Sequence, residues 1–258
     1  TVDKFWLEKC INYSELNDFS EKYANLKNGI NSLFFKKIIS SKANNNTIFV
    51  TDGGGTNVYS SLQACFNKKN QKLVLSTSLC SMGSGIPEAI GAYYANPKCP
   101  IICFIGDGSF PFNVQELQLV KNLNLPIKFF VLNNNGYTSI KTTQADFLDN
   151  NFIGSTPEKG VHLMNIKNTA QSFNLDYFLL KDHKEMFLKI DEILNSNYPA
   201  ICELILSEDE IIEPRQGYKQ SENGFSPQPL EDMFPFLESD HFTKLMIVEP
   251  WINKINCS

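Results

Sequence analysis

The chain has 258 residues, of which 42% are hydrophobic and 20% charged, enough for one large domain with a hydrophobic core. Its formal net charge of −5 and its single arginine, Arg215, argue against a nucleic-acid surface, which needs clustered basic residues. The longest apolar stretches, 101–105 and 127–132, are far shorter than the ~20 residues that cross a bilayer. We therefore expect neither a nucleic-acid partner nor a membrane span.

The seven cysteines are an odd number scattered through apolar surroundings. A chain of this size does not need disulfides for stability, so we expect free thiols in a reducing, cytoplasmic compartment. Cys99 and Cys103 have a spacing that a metal site could use, but no second pair accompanies them. We interpret them as buried thiols.

Short apolar and β-branched runs alternate with segments of helical spacing along the chain. The runs predict strands at 47–51, 72–76, 101–105, 128–132, 177–180 and 200–206. The helical segments are 31–41, 87–95, 114–123, 166–173 and 184–195. This alternation predicts an α/β fold with three layers, in which a six-stranded, mainly parallel sheet has helices on both faces.

The two ends of the chain lack this alternation. Residues 1–28 are predicted to be a linker with one helix, entering from an upstream domain that these residues do not include, and 29–206 form the main domain. An acidic stretch with several Pro and Gly residues follows 206, and apolar residues come after it. We therefore expect 207–258 to be a C-terminal tail that packs on the main domain.

Segments rich in Gly or Asn follow the first four predicted strands, at 52–57, 78–85, 106–109 and 133–136. In open parallel sheets, ligands bind outside the carboxyl ends of the strands. Glycines permit close backbone approach, and the N–H groups at a helix start bind phosphate without arginine. The sequence therefore predicts a site for a phosphate-bearing ligand at this edge of the sheet.

The third and fourth of these segments belong together. Between Gly108 and Asn133 lie 24 residues, 109–132, which is room for one helix and one return strand and so sets two strand ends side by side. Asp107, the Asn134 amide oxygen and a carbonyl of the following turn would form a shell of oxygens for Mg²⁺, which a diphosphate completes. Each segment alone is also typical of an ordinary tight turn, but the two at consecutive strand ends favour the metal site.

Gly106-Asp107-Gly108, followed at this spacing by Asn133-Asn134, resembles the motif of the thiamine diphosphate (TPP)-dependent enzymes. Residues 81–92 and 113–117 resemble the acetolactate synthase group of that family. The resemblance implies the thiamin diphosphate-binding fold for 29–206, with TPP and Mg²⁺ as cofactors and the Asp107 and Asn134 side chains and the Gly136 carbonyl as metal ligands. The cofactor-binding residues that it implies are Gly54, Gly55, Thr56, Met82, Gly83, Gly106, Asp107, Gly108, Ser109, Asn134, Gly136 and Tyr137.

Two features beside the motif have alternative interpretations. The resemblance implies that Met82 lies under the cofactor and holds its two rings in a bent form, whereas a methionine at such a position can also fill a gap in the core. Asn113 and Glu116 have the spacing of a capping box. We interpret them as part of the scaffold rather than as an acid and a base.

The resemblance implies an acetolactate synthase-like transferase that decarboxylates pyruvate or another 2-oxo acid and transfers the acyl group to an acceptor carbonyl. Residues 52–57 depart from acetolactate synthases, which usually have Gln and His there. This departure leaves open the donor substrate, the acceptor substrate and the choice between an amino-acid and a sugar-nucleotide pathway. The activating glutamate of the family lies in a pyrimidine-binding domain outside these residues, so the catalytic residues are unknown, and the need for FAD stays open.

The resemblance also implies a partner. We expect the pyrimidine-binding domain either in the same longer chain or in a partner subunit, and a homodimer or tetramer as the assembly. One alternative is the separate β subunit of a split 2-oxo acid decarboxylase. The other is a TPP-binding module without catalytic activity.

Overall fold

The computed structural model describes residues 3–16, 20–65, 68–76, 78–208, 210–221 and 224–248. They fall into two compact units. The larger unit comprises 20–211, and the smaller one comprises the residues up to 19 and those from 212 onward.

A sheet of six parallel strands organises the larger unit, with the order β2-β1-β3-β4-β6-β5. The strands are β1 Ile48–Thr51, β2 Lys72–Leu75, β3 Ile101–Gly106, β4 Lys128–Asn133, β5 Asp176–Leu180 and β6 Ala200–Ile205. From β1 the chain passes to β2 on one side and then to β3 on the other. The strand order therefore reverses between β1 and β3, where open α/β sheets bind their ligands.

The helices are α1 Lys4–Leu16, α2 Ser32–Lys42, α3 Gly55–Ala64, α4 Gly85–Ala95, α5 Leu117–Asn122, α6 Thr138–Phe147, α7 Ile166–Ser172, α8 His183–Asn195 and α9 Ser239–Leu245. Short 3₁₀ turns occur at Ser20–Tyr23, Val114–Glu116 and Pro157–Lys159. The segment predicted as one helix over 114–123 is divided into a 3₁₀ turn and α5. Three helices, α3, α6 and α9, were not predicted.

Successive residues of the central strands face opposite layers of helices, as the pleat of a strand requires. Cys103 and Val131 pack in one core together with residues of α4, α5 and α7. Phe104 and Phe130 face the other layer, where both rings contact Phe35 of α2. The predicted three-layer α/β fold is thus confirmed.

The cysteines of the described residues are free, as expected from the sequence. Three are buried and one is partly exposed, but Cys10 and Cys80 are exposed, in contrast to the expected apolar surroundings. Cys257 lies outside the described residues. Across the described ranges, no cluster of three or more His, Cys, Asp and Glu could hold a metal ion. Nor does any helix there combine the length and apolar character needed to span a membrane.

The smaller unit contains α1, a hairpin and α9. The hairpin pairs β7 Tyr218–Ser221 with β8 Gly224–Pro227 in antiparallel fashion and was not predicted. Arg215 and Phe234 exchange backbone hydrogen bonds, and the guanidinium lies 4.9 Å from the centroid of the Phe234 ring. Packing of the tail on the main domain stays a prediction, as does the linker role of 1–28.

The side chain of Lys36 on α2 is fully buried within the larger unit. Its Nζ donates to the Asn57 carbonyl and to the Ser60 and Ser61 hydroxyls, each at 2.8 Å, and lies 4.7 Å from the centroid of the Phe104 ring. Burial lowers the pKa of Lys36 from 10.5 to about 7, because it removes the charged form from water. These bonds hold α3, whose sequence is rich in small polar residues, against α2.

Replacing Lys36 by Met should remove part of the pH dependence of stability. Between the folded pKa of about 7 and the ordinary 10.5, the unfolded chain binds more protons, so the free energy of unfolding rises with pH. Urea unfolding of the unsubstituted protein between pH 7 and 8.5 should show the free energy of unfolding rising by up to about 1.4 kcal/mol per pH unit. Lys36→Met should lose this rise. Burial raises the pKa of Glu210 to about 7, and the charge of Lys36 opposes this rise, so Lys36→Met also removes that effect on Glu210.

Lys37 provides the matched control, because it lies next to Lys36 on α2 but is partly exposed and pairs with Glu21. Lys37→Met should keep the full pH dependence. Equal slopes for the Lys36 and Lys37 variants would contradict the assignment of this dependence to the buried ammonium.

Candidate cofactor site

A cavity of about 160 Å³ lies at the carboxyl ends of β1, β3 and β4. All the cofactor residues predicted from the sequence except Gly83 line it, namely Gly54, Gly55, Thr56, Met82, Gly106, Asp107, Gly108, Ser109, Asn134, Gly136 and Tyr137. The lining also includes residues that were not predicted to bind the cofactor, namely Gly53, Asn57, Leu132, Thr138, Ser139 and Ile140. The structure therefore brings together residues from three strand ends that are distant in sequence.

Asp107 is a buried carboxylate at the end of β3. One of its oxygens accepts a hydrogen bond from the Gly108 N–H at 2.8 Å, and the other accepts from the Gly136 N–H at 3.3 Å. Burial raises the pKa of Asp107 to about 6, and these backbone donors oppose the rise. The carboxylate thus joins the end of β3 to the turn that follows β4.

The side-chain amide of Asn134 can take two orientations. In one, its Oδ1 lies 2.8 Å from the Gly136 carbonyl oxygen and 3.3 Å from Asp107 Oδ1, so three oxygens converge without a proton between them. In the other, Nδ2 occupies that place and donates to both oxygens. Adjacent ligands of an octahedral Mg²⁺, each at 2.0–2.1 Å, are about 2.9 Å apart. The donor set therefore fits a hard cation, which would select the first orientation.

Two helices begin at the wall of this cavity. Gly54, with φ of +118°, turns the chain into α3, and the Gly55 N–H donates to the Ser139 hydroxyl of α6 at 3.1 Å. The Thr56 hydroxyl is buried and has no hydrogen-bond partner within the described part of the chain. Free N–H groups and the positive end of the helix dipole favour an anion at such a place.

Asp52, at the end of β1, holds the loop that carries Met82. Its buried carboxylate accepts from the Gly83 N–H at 3.0 Å and from the Gly85 N–H at 2.9 Å, and burial raises its pKa. These bonds turn Gly83 toward Asp52, whereas the neighbouring Met82 lines the cavity and is 40% exposed. Met82 is therefore not a core side chain.

The predicted capping box of Asn113 and Glu116 is wrong. Asn113 has a left-handed backbone with φ of +62° and makes no side-chain cap, because its amide instead donates to the Gly83 carbonyl at 2.9 Å. The residue is still part of the scaffold, since it supports the loop that carries Met82.

Glycine is required at two points where the backbone approaches another segment closely. A Cβ at Gly53 would lie 2.0 Å from the Cys80 carbonyl oxygen. A Cβ at Gly108 would lie 2.4 Å from the ring of Tyr137. Both glycines therefore keep neighbouring strand ends close enough to share one cavity.

The chain is similar in sequence to known proteins. A family model described as the C-terminal TPP binding domain of thiamine pyrophosphate enzymes matches residues 52–204. The acetolactate synthase large subunit of Cyanidium caldarium is 33% identical over 163 residues, which are 63% of this chain and 27% of that protein. The large subunit of acetolactate synthase isozyme 2 of Escherichia coli (strain K12) is 28% identical over 212 residues, which are 81% of this chain and 37% of that protein. The chain thus spans about a third of the length of these relatives.

A solved structure has the same fold. The thiamine diphosphate-dependent 4-hydroxybenzoylformate decarboxylase of Rhodococcus jostii RHA1 superposes with a TM-score of 0.60 at 19% identity, over 73% of this chain and 34% of that one. The family model runs from the end of β1 into β6 and includes every residue of the cavity lining. The chain therefore belongs to the thiamine pyrophosphate enzymes and contains the C-terminal TPP-binding domain of an acetolactate synthase-like member.

Proposed function

We propose that the 160 Å³ cavity holds TPP together with Mg²⁺, as part of an enzyme that decarboxylates pyruvate or another 2-oxo acid and transfers the acyl group to an acceptor carbonyl. One observation carries the proposal. The oxygens of Asp107, Asn134 and Gly136 converge beside the first turns of α3 and α6, so cation and anion sites adjoin. A metal-bound diphosphate has this distribution of charge.

The chain's own groups can balance a diphosphate without arginine. The only arginine is Arg215, which belongs to the smaller unit. We propose that Asp107, Asn134 and the Gly136 carbonyl hold the metal, and that the N–H groups at the start of α3 contact the diphosphate at the wall that Gly108 and Ser109 also line. The unpartnered Thr56 hydroxyl is one further donor at this wall.

The apolar side of the cavity consists of Met82, Leu132 and Ile140. We propose that these side chains exclude water and orient the aromatic rings of TPP, with Met82 beneath them. When bound, TPP supplies the carbon centre that allows a 2-oxo acid to lose CO₂ and that carries the acyl group. The protein's part is to bind this cofactor and to fix its conformation.

A second structural element is proposed to complete the site. Small-molecule sites commonly enclose about 300–1,000 Å³, whereas this cavity measures about 160 Å³. The relatives are also much longer than this chain. We propose that a pyrimidine-binding domain, from the same longer polypeptide or from a partner subunit, supplies the activating glutamate within a homodimer or tetramer.

Asp107→Ala should abolish Mg²⁺-dependent binding of TPP, because it removes the only carboxylate of the proposed metal site. Calorimetric titration of the protein as isolated from its source, with and without Mg²⁺, measures this loss. Asp191→Ala is the matched control, since Asp191 is an exposed carboxylate on α8 paired with Lys42, and it should bind as the unsubstituted protein does.

Unchanged TPP affinity in Asp107→Ala would contradict the metal site. Turnover of 2-oxo acids by the same preparation tests the remainder of the proposal. Binding without any turnover would favour the non-catalytic module, and co-purification of a second chain that is needed for turnover would favour the split decarboxylase.

Met82→Ala should lower turnover about tenfold or more, because the cofactor rings would be misplaced. It should change the free energy of unfolding by less than about 0.5 kcal/mol, because the Met82 side chain is not in the core. Assays with saturating TPP, together with urea unfolding, measure the two effects. Met164→Ala is the control, since Met164 is 39% exposed and Met82 is 40% exposed. Full activity in Met82→Ala, or an equal loss in both variants, would contradict the role.

A further inference from the structure

Three polar side chains lie on the core-facing side of the strands next to the proposed metal site. They are Asn133 at the end of β4, Glu203 in β6 and Tyr177 in β5, which we name the turn support. The register pairs Glu203 with Val131, and Val131 is part of the hydrophobic core on that face. The carboxylate of Glu203 therefore lies on the core-facing side of the sheet, beside an apolar residue of the neighbouring strand.

Hydrogen bonds join the turn support to the turn that carries Asn134 and Gly136. The Tyr177 hydroxyl donates to Glu203 Oε2, and Asn133 Nδ2 donates to Glu203 Oε1 at 2.7 Å. Asn133 Oδ1 in turn accepts the Asn135 N–H at 3.0 Å. Both oxygens of the carboxylate thus face a donor, as an acceptor-only group requires.

The carboxylate of Glu203 decides which way the Asn133 amide points. Because Glu203 accepts but cannot donate, the NH₂ group of Asn133 must face it, which leaves the amide oxygen for the Asn135 N–H. That bond stabilises the left-handed backbone of Asn135, whose φ is +56°. If the amide reversed, its NH₂ group would face the Asn135 N–H, and the turn would lose its support.

We propose that Glu203, oriented by Tyr177 and acting through Asn133, is a positioning residue that fixes the turn so that the Asn134 side chain and the Gly136 carbonyl hold a divalent cation. This inference rests on the proposed function. Glu203 lies among neither the predicted nor the observed lining residues of the cofactor cavity. It acts from the other side of the turn, where a second, polar cavity of about 520 Å³ is lined by Asn133, Asn135, Tyr177 and Glu203, among others, and meets the cofactor cavity at Asp107.

The geometry separates this role from simple packing. The Tyr177 ring packs against the core, so Tyr177→Phe removes only the hydroxyl. Glu203→Gln retains an oxygen for Asn133 and presents an NH₂ group from which the Tyr177 hydroxyl can accept. Glu203→Ala removes both acceptors. The role therefore predicts that Glu203→Ala is the most damaging variant, that Tyr177→Phe is intermediate and that Glu203→Gln rescues.

The test uses Mn²⁺ as the probe, with the complete protein and saturating TPP, and measures free Mn²⁺ by electron paramagnetic resonance. Loss of a group that orients a metal ligand typically costs 10–100-fold in metal affinity. We expect a loss of this size in Glu203→Ala, an affinity within about threefold of the unsubstituted value in Glu203→Gln, and an unchanged urea midpoint in both. Unchanged Mn²⁺ affinity in Glu203→Ala, or a loss matched by lower global stability, would overturn the proposal.

Hydrogen exchange of the protein without metal or cofactor provides a second readout. In Glu203→Ala the Asn135 amide should exchange at least tenfold faster, whereas amides of β1 and β3 should exchange as before. Equal exchange at Asn135 in the two proteins would overturn the positioning role. If the unsubstituted protein bound no Mn²⁺ with TPP, the proposed function would fail, but faster exchange confined to the turn would still support the positioning of the turn by Glu203.

Discussion

The parallel pairing of β3 with β4 is the constraint on which the site depends. The register joins Gly106 to Leu132, and the Asp107 N–H donates to the Leu132 carbonyl at 3.0 Å, so the two strands end at the same level. A carboxylate that follows one strand and an amide that follows the other must then meet. The convergence of Asp107 with Asn134 is thus a consequence of backbone pairing, and the side chains need only the correct positions in sequence.

The strands could be predicted to within about one residue at most ends because buried central strands have continuous apolar runs, as in 101–105 and 128–132. The helices α3 and α6 could not be predicted in this way. Their sequences contain mostly small and polar residues, and α6 has no buried residue, so neither has an apolar stripe with helical spacing. For α3, contacts that are distant in sequence provide the support, since Lys36 of α2 bonds to Asn57, Ser60 and Ser61.

The missing apolar stripe of α6 also limited the prediction of the site. Residues in the Gly- and Asn-rich segments could be predicted because the carboxyl ends of parallel strands lie at one edge of the sheet, and each of the four segments contributes at least one residue to the cavity lining. Ser139 and Ile140 were missed because they belong to α6. Gly83 was included because of the family resemblance, but it does not line the cavity, since Asp52 and Asn113 hold it through its N–H and its carbonyl. The family resemblance of a loop therefore does not determine which of its residues face the cavity.

A ligand site formed on a turn needs support from more than one side, and that support has an energetic cost. An apolar side chain at the position of Glu203 would contribute about 1.5–3 kcal/mol if fully buried, and a carboxylate beside the core forgoes this contribution. Its two hydrogen bonds offset the cost only while both donors are in place. Asp107 holds the turn from the cavity side through the Gly136 N–H, and Asn133 holds it from the other. Two independent supports on a three-residue turn restrict the motion of Gly136 and Asn134 more than either could alone, which explains why β6 carries a charged residue on its core-facing side.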